Sequence, residues 1–167
     1  RALEAIAHAD LIVLGPGSLY TSLLPNLLVP ELVEAIGRSH APRLYICNLM
    51  TQPGETDGLD VNGHLSAIES QLANIGVQQR LFDSVLAQDA LPAGPELDYY
   101  RSKGAEPVDC DLDGLREQGY RVMLASMQGP QQRSQGRDFK GTLRHDSRSL
   151  ALAVMRFYRA KQKRQIN

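Results

Sequence analysis

Short apolar runs alternate with stretches of helical spacing along most of the chain, and that alternation predicts an α/β architecture. Residues 2–9 read as the end of a helix, with Leu3, Ile6 and Ala7 on one face. Residues 11–14 are continuously apolar and end at Gly15, the pattern of a strand buried on both sides of a parallel sheet. Residues 18–24 read as a turn of helix ended by Pro25. Pro30 opens another, with Leu32, Val33 and Ile36 at helical spacing and Gly37 closing it. Residues 43–47 supply the next strand and residues 48–60 a polar loop. A helix follows over 64–74, with Leu65, Ile68 and Leu72 in register and Gly76 as its stop; a third strand covers 82–87.

The periodicity weakens from residue 91 to 119, where it predicts a short helix over 97–102 and a short strand over 107–109. Residues 120–125 form a further strand. Residues 129–141, rich in Gln, Gly, Ser and Arg, read as a mobile loop. Asp146 then caps a final amphipathic helix carrying Leu150, Val154, Phe157 and Tyr158. Strands spaced by helices, without an internal repeat, predict a doubly wound, mainly parallel sheet with flanking helices.

Composition narrows what such a sheet does. The 167 residues, 43% hydrophobic and 22% charged, suffice for one core. A formal net charge of −1 argues against a nucleic-acid binder, and no apolar run approaches the ~18–20 residues of a membrane span. Cys47 and Cys110 make neither a disulfide framework nor a zinc pattern, which suits a reducing, cytoplasmic setting. No secretory signal opens the chain; it begins at Arg1 inside a helical pattern, so a segment upstream is expected. The charge is unevenly placed. Residues 1–132 hold 8 basic and 17 acidic side chains, whereas residues 133–167 hold 10 and 2. The basic end suits an anionic ligand, a partner protein or a second copy of the chain, and equally a solvated helix face.

Three segments are candidates for chemistry. Gly15-Pro16-Gly17-Ser18-Leu19-Tyr20-Thr21-Ser22 follows a strand directly. There, glycines let backbone N–H groups approach a phosphate, and Ser18, Thr21 and Ser22 add hydroxyls. An ordinary tight strand-to-helix turn would use the same glycines, and the full G-x-G-x-x-G pattern is absent. Asn48-Leu49-Met50-Thr51-Gln52-Pro53-Gly54-Glu55-Thr56 follows the next strand and mixes donors with acceptors, as a base or sugar requires. Leu143-Arg144-His145-Asp146 brings a guanidinium whose planar fork matches a diphosphate. His145 could serve as a phosphate donor or an acid but reads most simply as a surface residue, and Asp146 as the cap. His64 reads as a packed or capping histidine, Cys47 as structural, and Asp109, Asp111 and Asp113 as an Asp-rich turn before a magnesium site. No Ser-His-Asp or Cys-His arrangement follows from spacing, so catalytic residues are not assigned.

Residues 9–32, ADLIVLGPGSLYTSLLPNLLVPEL, and 46–58, ICNLMTQPGETDG, resemble the bacterial gluconeogenesis factor family, the YvcK-type proteins, which are relatives of the phospholactate transferase CofD. Gly63-His64-Leu65 and Leu143-Arg144-His145-Asp146 continue the match. The resemblance implies a Rossmann-like fold in a cytoplasmic protein that binds uridine-diphosphate sugars. It further implies a regulatory role in growth on gluconeogenic carbon sources, cell shape and peptidoglycan synthesis. It carries the ligand site onto Gly15, Gly17, Ser18, Thr21, Asn48, Thr51, Gln52 and Arg144. The alternative it leaves open is a CofD-like transferase moving a phospholactyl-type group from a nucleotide-diphospho carrier, with magnesium as its cofactor. The family's opening Gly-Gly-Gly-Thr-Gly loop and Asp-Asp-Gly-Gly-Ser segment do not occur here. Residues 1–167 are therefore expected to be the C-terminal part of a larger CofD-like α/β domain, without its N-terminal phosphate-loop half.

Overall fold

Leu44, Tyr45 and Ile46, consecutive on one strand, are all buried, so that strand needs apolar cover on both of its faces. The computed structural model, which describes residues 1–91, 93–128 and 143–166, shows how the cover is supplied. Four strands, β1 (Ile12–Leu14), β2 (Arg43–Ile46), β3 (Ser84–Gln88) and β4 (Arg121–Ala125), form one parallel sheet in the order β1-β2-β3-β4. The register sets Tyr45 beside Val85 and Ile46 beside Leu86. Because side chains alternate across a pleat, Tyr45, Val85 and Ala87 enter one core, and Leu44, Ile46 and Leu86 enter a second.

The first core lies under α3 (Pro30–Arg38), against which α1 (Ala2–Ala7) packs, and under α4 (Val61–Asn74) and α6 (Leu112–Glu117); they bury Val33 and Ile36, Leu65, Ile68 and Leu72, and Leu115. The second lies under α7 (Ser147–Ile166), through Ala153 and Phe157, with Leu97 and Tyr100 of α5 (Pro95–Ser102) at its margin. Each fully buried aliphatic side chain contributes about 1.5–3 kcal/mol. This is a Rossmann-like α/β fold with helices on both faces of a parallel sheet.

Local chemistry explains where elements start and stop. The Asp60 carboxylate accepts from the Gly63 N–H at 2.7 Å and so caps α4. At the other end Gly76, at φ +85°, lets the Val77 N–H return to the Leu72 carbonyl at 2.9 Å. On the sheet's flank, Arg80 donates to Glu69 at 2.9 Å and lies 3.9 Å over the Tyr120 ring, whose hydroxyl donates to the same carboxylate.

Several expectations are corrected. Residues 11–14 do not form a strand buried on both sides. Among the described residues β1 is the outermost strand, and Val13, on the face opposite Ile12 and Leu14, packs into neither core and is 40% exposed. Pro25 does not end the helix after Ser18. Residues Leu19–Leu23 form a π turn in which the Leu23 N–H bonds the Ser18 carbonyl at 3.0 Å, and Pro25 falls in the first turn of α2 (Leu24–Leu27), where its missing N–H is tolerated. Gly37 lies inside α3, which runs on to Arg38. Residues 107–109 are no strand; Pro107 makes an isolated antiparallel bridge to Met50. α6 was not predicted, since Leu115 is the one buried side chain among its six residues. The loop expected over 129–141 lies outside the described residues.

Replacing Asp60 by Ala should lower stability by about 1 kcal/mol, whereas Asn, which also caps, should nearly preserve it. Urea unfolding would show this as a shifted midpoint with an unchanged slope.

Candidate functional site

β1 and β2 run parallel and adjacent, so the loops leaving their carboxyl ends emerge side by side. The close approach depends on Gly15. Its φ is +89°, and a Cβ there would lie 2.6 Å from the Ile46 carbonyl oxygen. No side chain fits between this turn and the end of β2.

Asn48, two residues past β2, joins the loops. Its Oδ1 accepts from the Gly17 N–H at 3.1 Å and its Nδ2 donates to the Gly17 carbonyl at 2.9 Å. Ser18 donates from Oγ to Glu55 Oε2 at 2.7 Å and accepts from Thr21 Oγ1 at 2.6 Å. Thr51 is buried; its N–H donates to the Glu106 carbonyl at 2.7 Å and its Oγ1 accepts from the Glu106 N–H at 2.9 Å. The Gln52 N–H donates to Thr56 Oγ1 at 2.8 Å, while its side-chain Oε1 is buried with no partner among the described residues.

The third segment returns from β4. The Met127 N–H donates to Gln88 Oε1 and the Asp146 N–H to the Met127 carbonyl, both at 2.7 Å. Asp146 Oδ1 caps α7 by accepting from the Ser149 N–H at 2.7 Å. His145 Nε2 donates to the Cys47 carbonyl at 3.3 Å, which ties this segment to the end of β2. The Leu143 N–H donates to the Tyr100 hydroxyl at 3.1 Å, and Arg144 between them is exposed.

These segments enclose a cleft of about 640 Å³, lined by residues 16–18, 48–52 and 143–145 together with Tyr100. That volume is of the size that holds a small organic ligand. Of the residues singled out from sequence, Gly17, Ser18, Asn48, Thr51, Gln52 and Arg144 line it. Gly15 stands behind it as a packing position, and Thr21 reaches it through Ser18. Of the other groups here, Glu55 is a polar member of the loop after β2 and His145 reads from sequence most simply as a surface residue, while Tyr100 carries no signal. Glu55 carried a signal, being the carboxylate of the TQPGET loop. The partner of His145 lies 98 residues away and carried none.

The remaining candidates have local jobs. His64 is fully buried and donates from Nδ1 to the Asp60 carbonyl at 2.9 Å. Asp111 caps α6 by accepting from the Gly114 N–H at 3.1 Å, and Asp113 pairs with Arg116 at 3.5 Å. Among the described residues no three His, Cys, Asp or Glu side chains cluster as metal ligands. Burial pushes the Cys47 thiol up to about 12, so it stays protonated and unreactive. Burial also lowers both His64 and His145 below their ordinary value of 6.5. Both imidazoles are therefore neutral at pH 7.

A parallel sheet with a polar cleft built from the loops at its carboxyl edge defines a Rossmann-like α/β domain. The family model described as 2-phospho-L-lactate transferase CofD matches residues 1–128, and the chain belongs to the CofD family. It is similar to the gluconeogenesis factor of Halalkalibacterium halodurans, at 47% identity over 119 residues, covering 71% of this chain and 35% of the relative. It is also similar to the gluconeogenesis factor of Bacillus subtilis, at 38% over 123 residues, covering 74% and 37%. A crystal structure of a UPF0052-family protein from Bacillus halodurans matches with a TM-score of 0.78 and 38% identity, over 92% of this chain and 45% of that one. The chain thus spans well under two thirds of the length of these relatives. No helix among the described residues is long and apolar enough to cross a membrane.

The lowered histidines give a signed pH dependence. Below pH 6.5 the unfolded chain takes up protons that the folded chain resists, so stability falls until the folded-state values are passed. Comparing urea midpoints at several pH values should show a shallower acid loss in His64→Gln than in the parent.

Proposed function

We propose that the cleft binds a nucleotide sugar, specifically a uridine-diphosphate sugar, and that the protein is a gluconeogenesis factor. In this reading it is a cytoplasmic regulator of growth and cell shape on gluconeogenic carbon sources rather than a catalyst. The observation that carries the reading is the convergence of three segments, distant in sequence, on one polar cleft that includes the Arg144 guanidinium. Such a ligand has a diphosphate for a planar cation and hydroxyl-rich groups for the mixed donors and acceptors of the loops after β1 and β2. The gluconeogenesis factors to which the chain is similar support the same assignment. Both cysteines are free, in keeping with a reducing compartment.

A second reading, a CofD-like transferase acting on a nucleotide-diphospho carrier, is favoured by the description of the matching family model. Magnesium would belong to that reaction. The donor set does not fit it here: Glu55 Oε2 already accepts from Ser18, and no cluster of three ligands stands among the described residues. No step of this chain is routed through the ion. Release of free nucleotide on incubation with magnesium and candidate donors would favour the transferase.

Calorimetry with UDP-N-acetylglucosamine should give saturable binding. Arg144→Ala should weaken it by about 1.5–3 kcal/mol, the value of a hydrogen bond to a charged group. No heat at millimolar ligand would sink the assignment, and an unchanged affinity in the variant would remove Arg144 from the site.

A further inference from the structure

The hydroxyls at the β1 side of the cleft are already oriented. Thr21 gives its proton to Ser18 Oγ at 2.6 Å, and Ser18 gives its own to Glu55 Oε2 at 2.7 Å. A hydroxyl has one proton and two lone pairs, so Ser18, which lines the cleft, is left with an accepting lone pair and no proton. Of the neighbouring donors, the Gly17 N–H and one of the two Asn48 Nδ2 hydrogens are committed as well. The Gly17 N–H is given to Asn48 Oδ1, and Asn48 Nδ2 is given back to the Gly17 carbonyl. Gln52 adds an Oε1 that has no partner among the described residues.

A phosphate oxygen brought to the Ser18 hydroxyl would meet an acceptor and, one hydrogen bond behind it, a carboxylate of its own sign. A sugar hydroxyl would meet groups able to take its proton. The cation of the cleft is Arg144, on the segment that precedes α7. We propose that Glu55, acting through Ser18, makes the β1 side of the cleft a subsite for sugar hydroxyls and turns the diphosphate of the ligand toward Arg144. The proposal rests on the nucleotide-sugar reading above and adds to it the polarity of the bound ligand. Glu55 is a positioning residue: it holds the Ser18 proton and so fixes which kind of group Ser18 can receive.

Titrating the full chain with UDP-N-acetylglucosamine and, separately, with UDP tests this. Glu55→Gln should weaken the sugar nucleotide by about tenfold or more, the weight of a hydrogen bond in a charge-assisted chain, and leave UDP unchanged. Ser18→Ala should give the same selective loss. The double variant should add nothing further, because the two residues form one link. Equal losses for both ligands would overturn the proposal. So would tighter UDP binding in Glu55→Gln, the result expected if a phosphate lay against the carboxylate; either outcome would leave the nucleotide-sugar reading standing. If the parent chain bound neither ligand, both readings would fall. Should Glu55→Gln not fold, Ser18→Ala decides alone: a selective loss supports the subsite and an unselective or absent one overturns it.

Discussion

The paired hydrogen bonds between the Asn48 carboxamide and the backbone of Gly17 hold the two loop exits together. One side chain satisfies both the donor and the acceptor of a turn on the adjacent strand, which only a planar amide can do at this reach. It can do so because Gly15 lets that turn press against the Ile46 carbonyl. One residue earlier, the Cys47 carbonyl receives His145 and fixes the returning segment to the same strand end. Every wall of the cleft is therefore referenced to the end of β2, a central strand whose last three residues are all buried.

Many of the polar groups in these loops are already committed to other protein groups. Thr51 is tied to Glu106, Gln52 to Thr56 through its backbone, and Ser18 to Glu55. This self-bonding is what makes the walls rigid without regular secondary structure, and rigid walls lose little entropy on receiving a ligand. The side chains left to interact are consequently few. That is the usual economy of a small-molecule site, where a handful of placed polar groups set orientation and the surrounding surface excludes water.

The strands and the two polar loops were legible because their signals are local: a continuous apolar run, then glycine and hydroxyl residues. The residues 11–14 run was still misread in one respect. An apolar stretch reports that a strand is in a sheet, not whether it stands at the centre or the edge. Pro25 and Gly37 read as stops in the local pattern, yet the turn before Pro25 leads into α2 and α3 runs through Gly37 to Arg38. Within the site, sequence identified most of the lining residues but not their division of labour. Thr51 and Gly15 also hold loop to loop and turn to strand, through partners 55 and 31 residues away. Such pairings depend on the tertiary register of the sheet, which no local pattern encodes. The tie of His145 to the Cys47 carbonyl is of the same kind.

Gly15 also sets how far β1 can run. At φ +89° it takes a backbone conformation that no extended strand adopts, so the ladder with β2 stops at the pairing of Leu14 with Tyr45. One glycine thus fixes both the length of a strand and the point at which the chain turns toward the cleft.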